Sequence, residues 1–147
     1  MLHLSTMSGK LKGMRALNTD TTSNPFCIYM YENTPEDFIC HWCYSWYMML
    51  TYRKNCVKKW KENSDALSVP IPYDDLPILN DVLFRIDAHG ELINLNHMVN
   101  IHWLAVKNPG TTIGLWTKRK PFVRQYLKQF TKPPNLMLIY SNGAINK

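Results

Sequence analysis

Several common signatures of membrane, secreted and enzymatic proteins are missing from this chain of 147 residues. It has no run of about 18 apolar residues, so we predict no transmembrane helix. The segment from Met1 to Gly13 lacks the apolar stretch of a signal peptide, which argues against secretion. The chain also has no Gly-rich phosphate loop, no G-x-S-x-G nucleophile motif and no H-E-x-x-H zinc motif. We therefore expect a cytoplasmic protein that does not contact a membrane.

Acidic residues are scarce, since 11 Asp and Glu stand against 17 Lys and Arg and give a formal net charge of +6. This modest excess permits an acidic partner such as nucleic acid. The basic residues are densest from Lys118 to Lys132, where they fit either a solvated helix face or a contact surface. The candidate contacts with a partner are Lys118, Arg119, Arg124 and Lys128.

Cysteine is also infrequent, with four residues, but three of them form the most informative pattern in the chain. Cys40 and Cys43 make a C-x-x-C pair at the start of a predicted helix, and Cys27 lies upstream. The positive end of a helix stabilises thiolates, and thiolates bind zinc and iron–sulfur clusters. We therefore predict that Cys27, Cys40 and Cys43 are metal ligands. Buried structural thiols and a redox-active dithiol are the alternatives.

A zinc ion needs a fourth ligand, for which the sequence offers His3, His41 and Cys56. We predict one long helix from Cys43 to Asn63. Such a helix would separate Cys43 from Cys56 by about 20 Å at 1.5 Å per residue, so the two could not share a site.

The organisation along the chain predicts a single α/β domain. It comprises a polar N-terminal segment at residues 1–25, a cysteine-bearing loop and long helix at residues 26–63, and a βαβαβ unit at residues 82–143. A short strand is predicted at Met14 to Leu17, another at Cys27 to Tyr31, and a short helix from Asp74 to Leu79. The predicted strands of the βαβαβ unit are Val82–Ala88, Thr111–Trp116 and Leu136–Tyr140. The first predicted helix is Leu95–Lys107, which Asn94 caps, and the second begins at Pro121.

Such a unit forms a parallel sheet, and parallel sheets bind ligands at the carboxyl ends of their strands. The loops that follow the three predicted strands are polar, and we expect them to meet on one rim that the cysteines could also face. Three residues of the first loop are candidates for cofactor binding: Asp87, His89 and Glu91. Arg85 should point to the same side as Asp87. Of the remaining histidines, His102 is predicted in the core and His97 at the surface.

Some segments resemble a known family. The run from Cys40 to Tyr44, followed by a long basic helix, resembles the C-x-x-C-Y segment of phage gene product 88-like proteins. The segments Arg85–Leu92, Trp116–Lys118 and Leu138–Asn142 are also similar, so that the resemblance covers roughly residues 24–143.

The resemblance implies a radical-SAM-like partial barrel. In such proteins three cysteines hold a [4Fe–4S] cluster, and S-adenosylmethionine (SAM) binds the open iron. It further implies that Asp87, His89 and Glu91 line a SAM or substrate pocket. The C-x12-C-x2-C spacing departs from the usual C-x3-C-x2-C, and the chain ends soon after Asn142, as expected of a short form.

Three functions follow as hypotheses. The first is a phage-type protein of the radical-SAM-like class that binds a metal or an iron–sulfur cluster, with an unknown reaction. The second is a non-enzymatic phage accessory protein that inhibits host defence or a host factor by binding a host protein or nucleic acid, with structural zinc (Zn2+) or free thiols. The third is an oxidoreductase that uses Cys40 and Cys43 as a dithiol.

Overall fold

The computed structural model describes residues 1–145 as an α/β fold. In this part of the chain five strands form one sheet, and five α-helices connect or flank them. The strands are β1 (Leu4–Thr6), β2 (Arg15–Leu17), β3 (Leu83–Ile86), β4 (Thr112–Thr117) and β5 (Leu136–Tyr140). The helices are α1 (Pro25–Asn33), α2 (Tyr44–Leu50), α3 (Val57–Leu67), α4 (Leu95–Lys107) and α5 (Lys120–Gln129).

The sheet is mostly parallel, and its strand order follows the chain. β1 pairs antiparallel with β2, and each pair from β2 to β5 is parallel. Neighbouring strands are consecutive in sequence, but the sheet does not close into a barrel. The predicted α/β class with a parallel βαβαβ unit is confirmed.

The two faces of the sheet differ in composition. On one face an apolar row crosses all five strands and packs into the core with α4 and α5: Leu4, Leu17, Ile86, Leu115 and Leu138. On the other face the corresponding row is Ser5, Ala16, Arg85, Gly114 and Met137. Small side chains therefore flank Arg85 on both neighbouring strands, and the Trp116 ring packs against Gly114 and under the Arg85 guanidinium.

Local signals account for the best-predicted elements. The Asn94 side chain accepts a hydrogen bond from the backbone N–H of His97 at 3.0 Å and begins α4 as predicted. The apolar stripe of α4 is buried, including Met98, Ile101 and Leu104. β5 and α4 have the predicted bounds. The bounds of β2, β3 and β4 differ from the predicted ones by at most two residues, and α5 begins one residue earlier than predicted.

The segment with the cysteines differs from the prediction. Cys27 lies in α1 instead of a loop or strand, because Asn24 caps this helix and Pro25 occupies its first turn. The predicted long helix is two helices, α2 and α3. Helical geometry ends at Thr51, where φ is −122° and ψ is −93°, and the Arg53 N–H bonds back to the Met48 carbonyl at 2.7 Å. The break lets α3 bury a different face, which includes Trp60.

Two smaller predictions also need correction. β1 was not predicted, since its three residues are too few for a periodic pattern. The helix expected from Asp74 to Leu79 is only a 3₁₀ turn at Tyr73–Asp75, because Pro77 cannot continue a helix. Among residues 1–145, no helix has the length and apolar character needed to cross a bilayer.

Candidate functional site

The carboxyl ends of the parallel strands surround a pocket of about 230 Å³, which we call the thiol pocket. Its walls come from the loops after β2, β3, β4 and β5, and from the segment between β2 and α2. The polar or ionisable residues in its walls are Thr21, Cys27, Cys40, Cys43, Tyr44, Ser45, Arg85, Asp87, Glu91, Lys118 and Ser141. The sequence rule about strand ends therefore predicted the position of this pocket correctly.

Three separate elements bring the three predicted cysteine ligands to this pocket. Cys27 lies in the first turn of α1, and Cys40 lies in a 3₁₀ turn at Ile39–Trp42. Cys43 caps α2, where its Sγ accepts a hydrogen bond from the Trp46 N–H at 3.4 Å. All three line the thiol pocket, and none of the four cysteines forms a disulfide within the described chain.

The surroundings of Cys27 and Cys40 are unfavourable for an isolated thiolate. Burial, with the nearby carboxylate of Glu91 as a second cause, raises the pKa of Cys27 far above its usual range. Burial also raises the pKa of Cys40, partly offset by the positive charge of Lys118. At neutral pH without a bound cation, Cys27 is therefore a neutral thiol.

The thiol pocket does not hold a finished metal site. Among residues 1–145, no group of three or more His, Cys, Asp and Glu side chains is arranged to hold a metal ion. Cys27, Cys40 and Cys43 have the right donor chemistry for zinc or iron. They lie in the first turn of α1, in a 3₁₀ turn and at the cap of α2, and all three are partly exposed.

Asp87 is the most unusual residue of the rim. It directly follows β3 with φ of 51°, a left-handed conformation that Asp and Asn tolerate better than most residues. Its side chain is buried, and Oδ1 accepts a hydrogen bond from the Thr19 hydroxyl at 2.7 Å. Within the described chain Oδ2 has no hydrogen-bond partner, although His97 Nε2 lies 3.8 Å away. Burial raises the pKa of Asp87 well above its usual range.

Glu91 has a structural role in joining two strand ends. Its carboxylate accepts hydrogen bonds from the Thr117 hydroxyl, from the Lys118 N–H at 2.9 Å and from the Leu92 N–H at 2.8 Å. These bonds fix the loop after β3 to the loop after β4. Glu91 lines the thiol pocket, but most of its hydrogen-bonding capacity is already used.

His89 lies apart from the other two residues predicted to bind a cofactor. Its ring stacks on Trp60 at a centroid distance of 4.7 Å, and its Nδ1 lies 2.9 Å from the Ser45 hydroxyl. Burial, together with the charges of Arg53 and Arg85, lowers the pKa of His89 to about 4. His89 lines a neighbouring cavity, whereas Asp87 and Glu91 line the thiol pocket.

The four basic residues proposed as partner contacts do not share one surface. Lys118 lines the thiol pocket, and the Arg119 guanidinium lies over the rings of Phe26 and Phe122 at 4.6 and 4.3 Å. Arg124 and Lys128 are exposed on α5. A partner surface that uses α5 stays a prediction about those two exposed residues.

Sequence reasoning missed two features of the rim. The loop after β2 contributes Asn18, Thr19 and Thr21, all buried, and its polar character directly after a strand was the signal. The surface position predicted for His97 is wrong, because its side chain is fully buried beside Asp87. The core position predicted for His102 is confirmed, and its Nδ1 lies 2.8 Å from the Tyr126 hydroxyl.

Tyr44 and Arg85 connect the thiol pocket to the cavity that contains His89, because both residues line both spaces. The Tyr44 hydroxyl donates to the Ala88 carbonyl, and burial raises the pKa of this phenol. The Arg85 guanidinium lies over the Trp116 ring at 4.9 Å.

Comparison of the chain with protein-family models, curated proteins and solved structures finds no match.

Proposed function

We propose that this protein binds a metal ion or an iron–sulfur cluster in the thiol pocket, with Cys27, Cys40 and Cys43 as ligands. The observation that carries the proposal is the meeting of these three thiols in one pocket at the carboxyl ends of the parallel strands. They come from α1, from a 3₁₀ turn and from the cap of α2. Cysteines that serve only as small apolar core residues are not expected to lie together at a polar rim.

The surroundings of Cys27 favour a cation beside its sulfur. Burial and the charges of Glu91 and Asp87 raise the pKa of Cys27, so this thiol ionises readily only when a positive ion compensates it. A bound metal supplies that charge and converts each coordinating thiol to a thiolate. The reducing cytosol, where we place the protein, keeps such thiols available.

Three cysteine ligands leave a fourth coordination position open, on zinc or on one iron of a cluster. Asp87 and Glu91 lie in the wall of the same pocket, together with Lys118. A small molecule with amino and carboxylate groups, as SAM has, would find partners of both charges there. The radical-SAM-like class and phage origin are part of this proposal through the family resemblance alone.

The test is metal analysis of protein purified without oxygen, followed by reconstitution with iron and sulfide or with zinc. We expect close to one zinc ion per chain, or about four iron atoms per chain. The iron-bound protein should also show broad absorbance at about 400 nm. The variants Cys27→Ser, Cys40→Ser and Cys43→Ser should each lower the bound metal severalfold.

Cys56→Ser is the matched control, since Cys56 is the remaining cysteine and lies in the wall of the neighbouring cavity. It should retain the metal content of the unaltered protein. A metal-free protein after reconstitution would refute the proposal, and so would equal metal loss in all four variants.

A further inference from the structure

A second cavity of about 620 Å³ lies beside the thiol pocket, between β1 and the break that separates α2 from α3. Its walls include the N-terminal residues Leu2 to Ser8 and the first half of α3. This volume falls in the range of small-molecule binding sites. We call it the basic cavity.

The basic cavity has cations in its wall and no carboxylate. Arg53, Lys59 and Arg85 line it, and no Asp or Glu does so within residues 1–145. Glu62 lies nearby but pairs with His3, one of the lining residues, at 2.6 Å. A concave surface with low-dielectric walls and charges of one sign concentrates the opposite charge, so the cavity attracts anions.

The position of Arg85 strengthens this reading. It lies between Ala16 and Gly114, on the face of the sheet opposite the apolar row that packs with α4 and α5. Its Nε is buried and has no hydrogen-bond partner in the described part of the chain. Buried polar groups usually find a partner, and an unpaired guanidinium nitrogen indicates a missing acceptor.

Hydroxyl groups complete the wall on the side of the N-terminal segment. Ser5, Thr6 and Ser8 line the cavity, and the Ser8 hydroxyl accepts a hydrogen bond from the Arg53 guanidinium at 3.3 Å. Guanidinium, ammonium and hydroxyl groups together form the donor set that proteins use for phosphate oxygens.

We infer that the basic cavity binds a small molecule bearing a phosphate or another oxyanion, with Arg53, Lys59 and Arg85 as its charged contacts. This inference is independent of metal binding in the thiol pocket. The two sites share Tyr44 and Arg85 in their walls, so that a ligand in the basic cavity would lie next to the thiols.

The experiment is calorimetric titration of the metal-free protein with sodium pyrophosphate, at low and at physiological salt. We expect saturable binding to one site, which weakens with salt because charges of opposite sign are screened. Arg53→Gln and Lys59→Gln should each weaken binding by about five- to tenfold, and Arg85→Gln by at least about tenfold, as expected for losing a charge-assisted contact.

Two controls carry the same loss of charge outside the cavity. Lys58→Gln changes the neighbour of Lys59 on α3, and Arg124→Gln changes an exposed residue of α5. Both should bind pyrophosphate like the unaltered protein. The inference is overturned if the unaltered protein does not saturate, or if the controls weaken binding as much as the cavity variants do. Cys27→Ser should leave binding unchanged, which keeps this result separate from the metal proposal.

Discussion

Replacement of Asp87 by Asn should stabilise the protein at neutral and alkaline pH. The carboxyl group is buried, and its Oδ1 accepts a hydrogen bond from the Thr19 hydroxyl. Asn keeps an oxygen for that hydroxyl, has nearly the same shape and tolerates φ of 51°. The change therefore removes a buried ionisable group without disturbing the backbone.

The sign follows from the direction of the pKa shift. Because burial raises the pKa of Asp87 above its unfolded value of 3.8, the folded state holds this proton more tightly than the unfolded state. Stability is thus lost as the pH rises, by about 1.4 kcal/mol per pH unit, until the folded pKa is passed. We expect Asp87→Asn to gain about 1–3 kcal/mol near pH 8, because the amide carries no charge to desolvate, and almost nothing near pH 4.

Urea unfolding at pH 4, 6 and 8 measures this difference. A gain of about 2 kcal/mol moves the midpoint by about 1 M urea for an m-value near 2 kcal/mol/M. Asp74→Asn, on an exposed 3₁₀ turn, is the control and should change stability by less than about 0.5 kcal/mol at each pH. A gain that is equal at pH 4 and pH 8, or a loss at pH 8, would refute the argument that Asp87 is strained by its buried charge.

Two further predictions concern the same rim. Burial lowers the pKa of His97 to about 3, and burial with nearby arginines lowers that of His89 to about 4, so both rings are neutral when folded. Their contribution to the free energy of unfolding is complete above pH 6.5 and should fall by about 1.4 kcal/mol per histidine and pH unit below it. Urea unfolding followed by circular dichroism would detect this fall in the Asp87→Asn variant, which lacks the opposing pH dependence of Asp87. A flat profile between pH 6.5 and 4.5 would contradict this. Gly90→Ala should lower the free energy of unfolding by at least about 2 kcal/mol, because φ is 100° and a Cβ would lie 2.0 Å from the Thr19 hydroxyl. The control is Gly110→Ala, which has open space around it and should melt within a degree or two of the unaltered protein. Similar melting temperatures for both variants would contradict this reasoning.

The regular part of the fold could be predicted because its signals are local. The apolar stripe and Asn94 cap define α4, and Pro133 and Pro134 separate α5 from β5. The alternation along the predicted strand also indicated that Arg85 points to the same side as Asp87, and both residues line the thiol pocket. Such patterns survive whatever the distant parts of the chain do.

The cysteine segment could not be predicted as well, because long-range contacts shape it. A pattern of aromatic residues at helical spacing continued across Thr51, but the chain turns there so that Trp60 can pack beside His89. The prediction that Cys56 cannot share a site with Cys43 relied on that unbroken helix. In the structure the helix is broken, and Cys56 lines the basic cavity instead of the thiol pocket.

The sequence by itself determined the α/β class, the polar strand ends and the residue types that make metal binding plausible. Only the tertiary structure decided that Cys27, Cys40 and Cys43 share a pocket, and that His89 faces a different cavity from Asp87. It also decided that His97 is buried against Asp87. The reason is physical: helix and strand periodicity depends on neighbours along the chain, whereas burial, pKa and the meeting of distant side chains depend on how the sheet and helices pack.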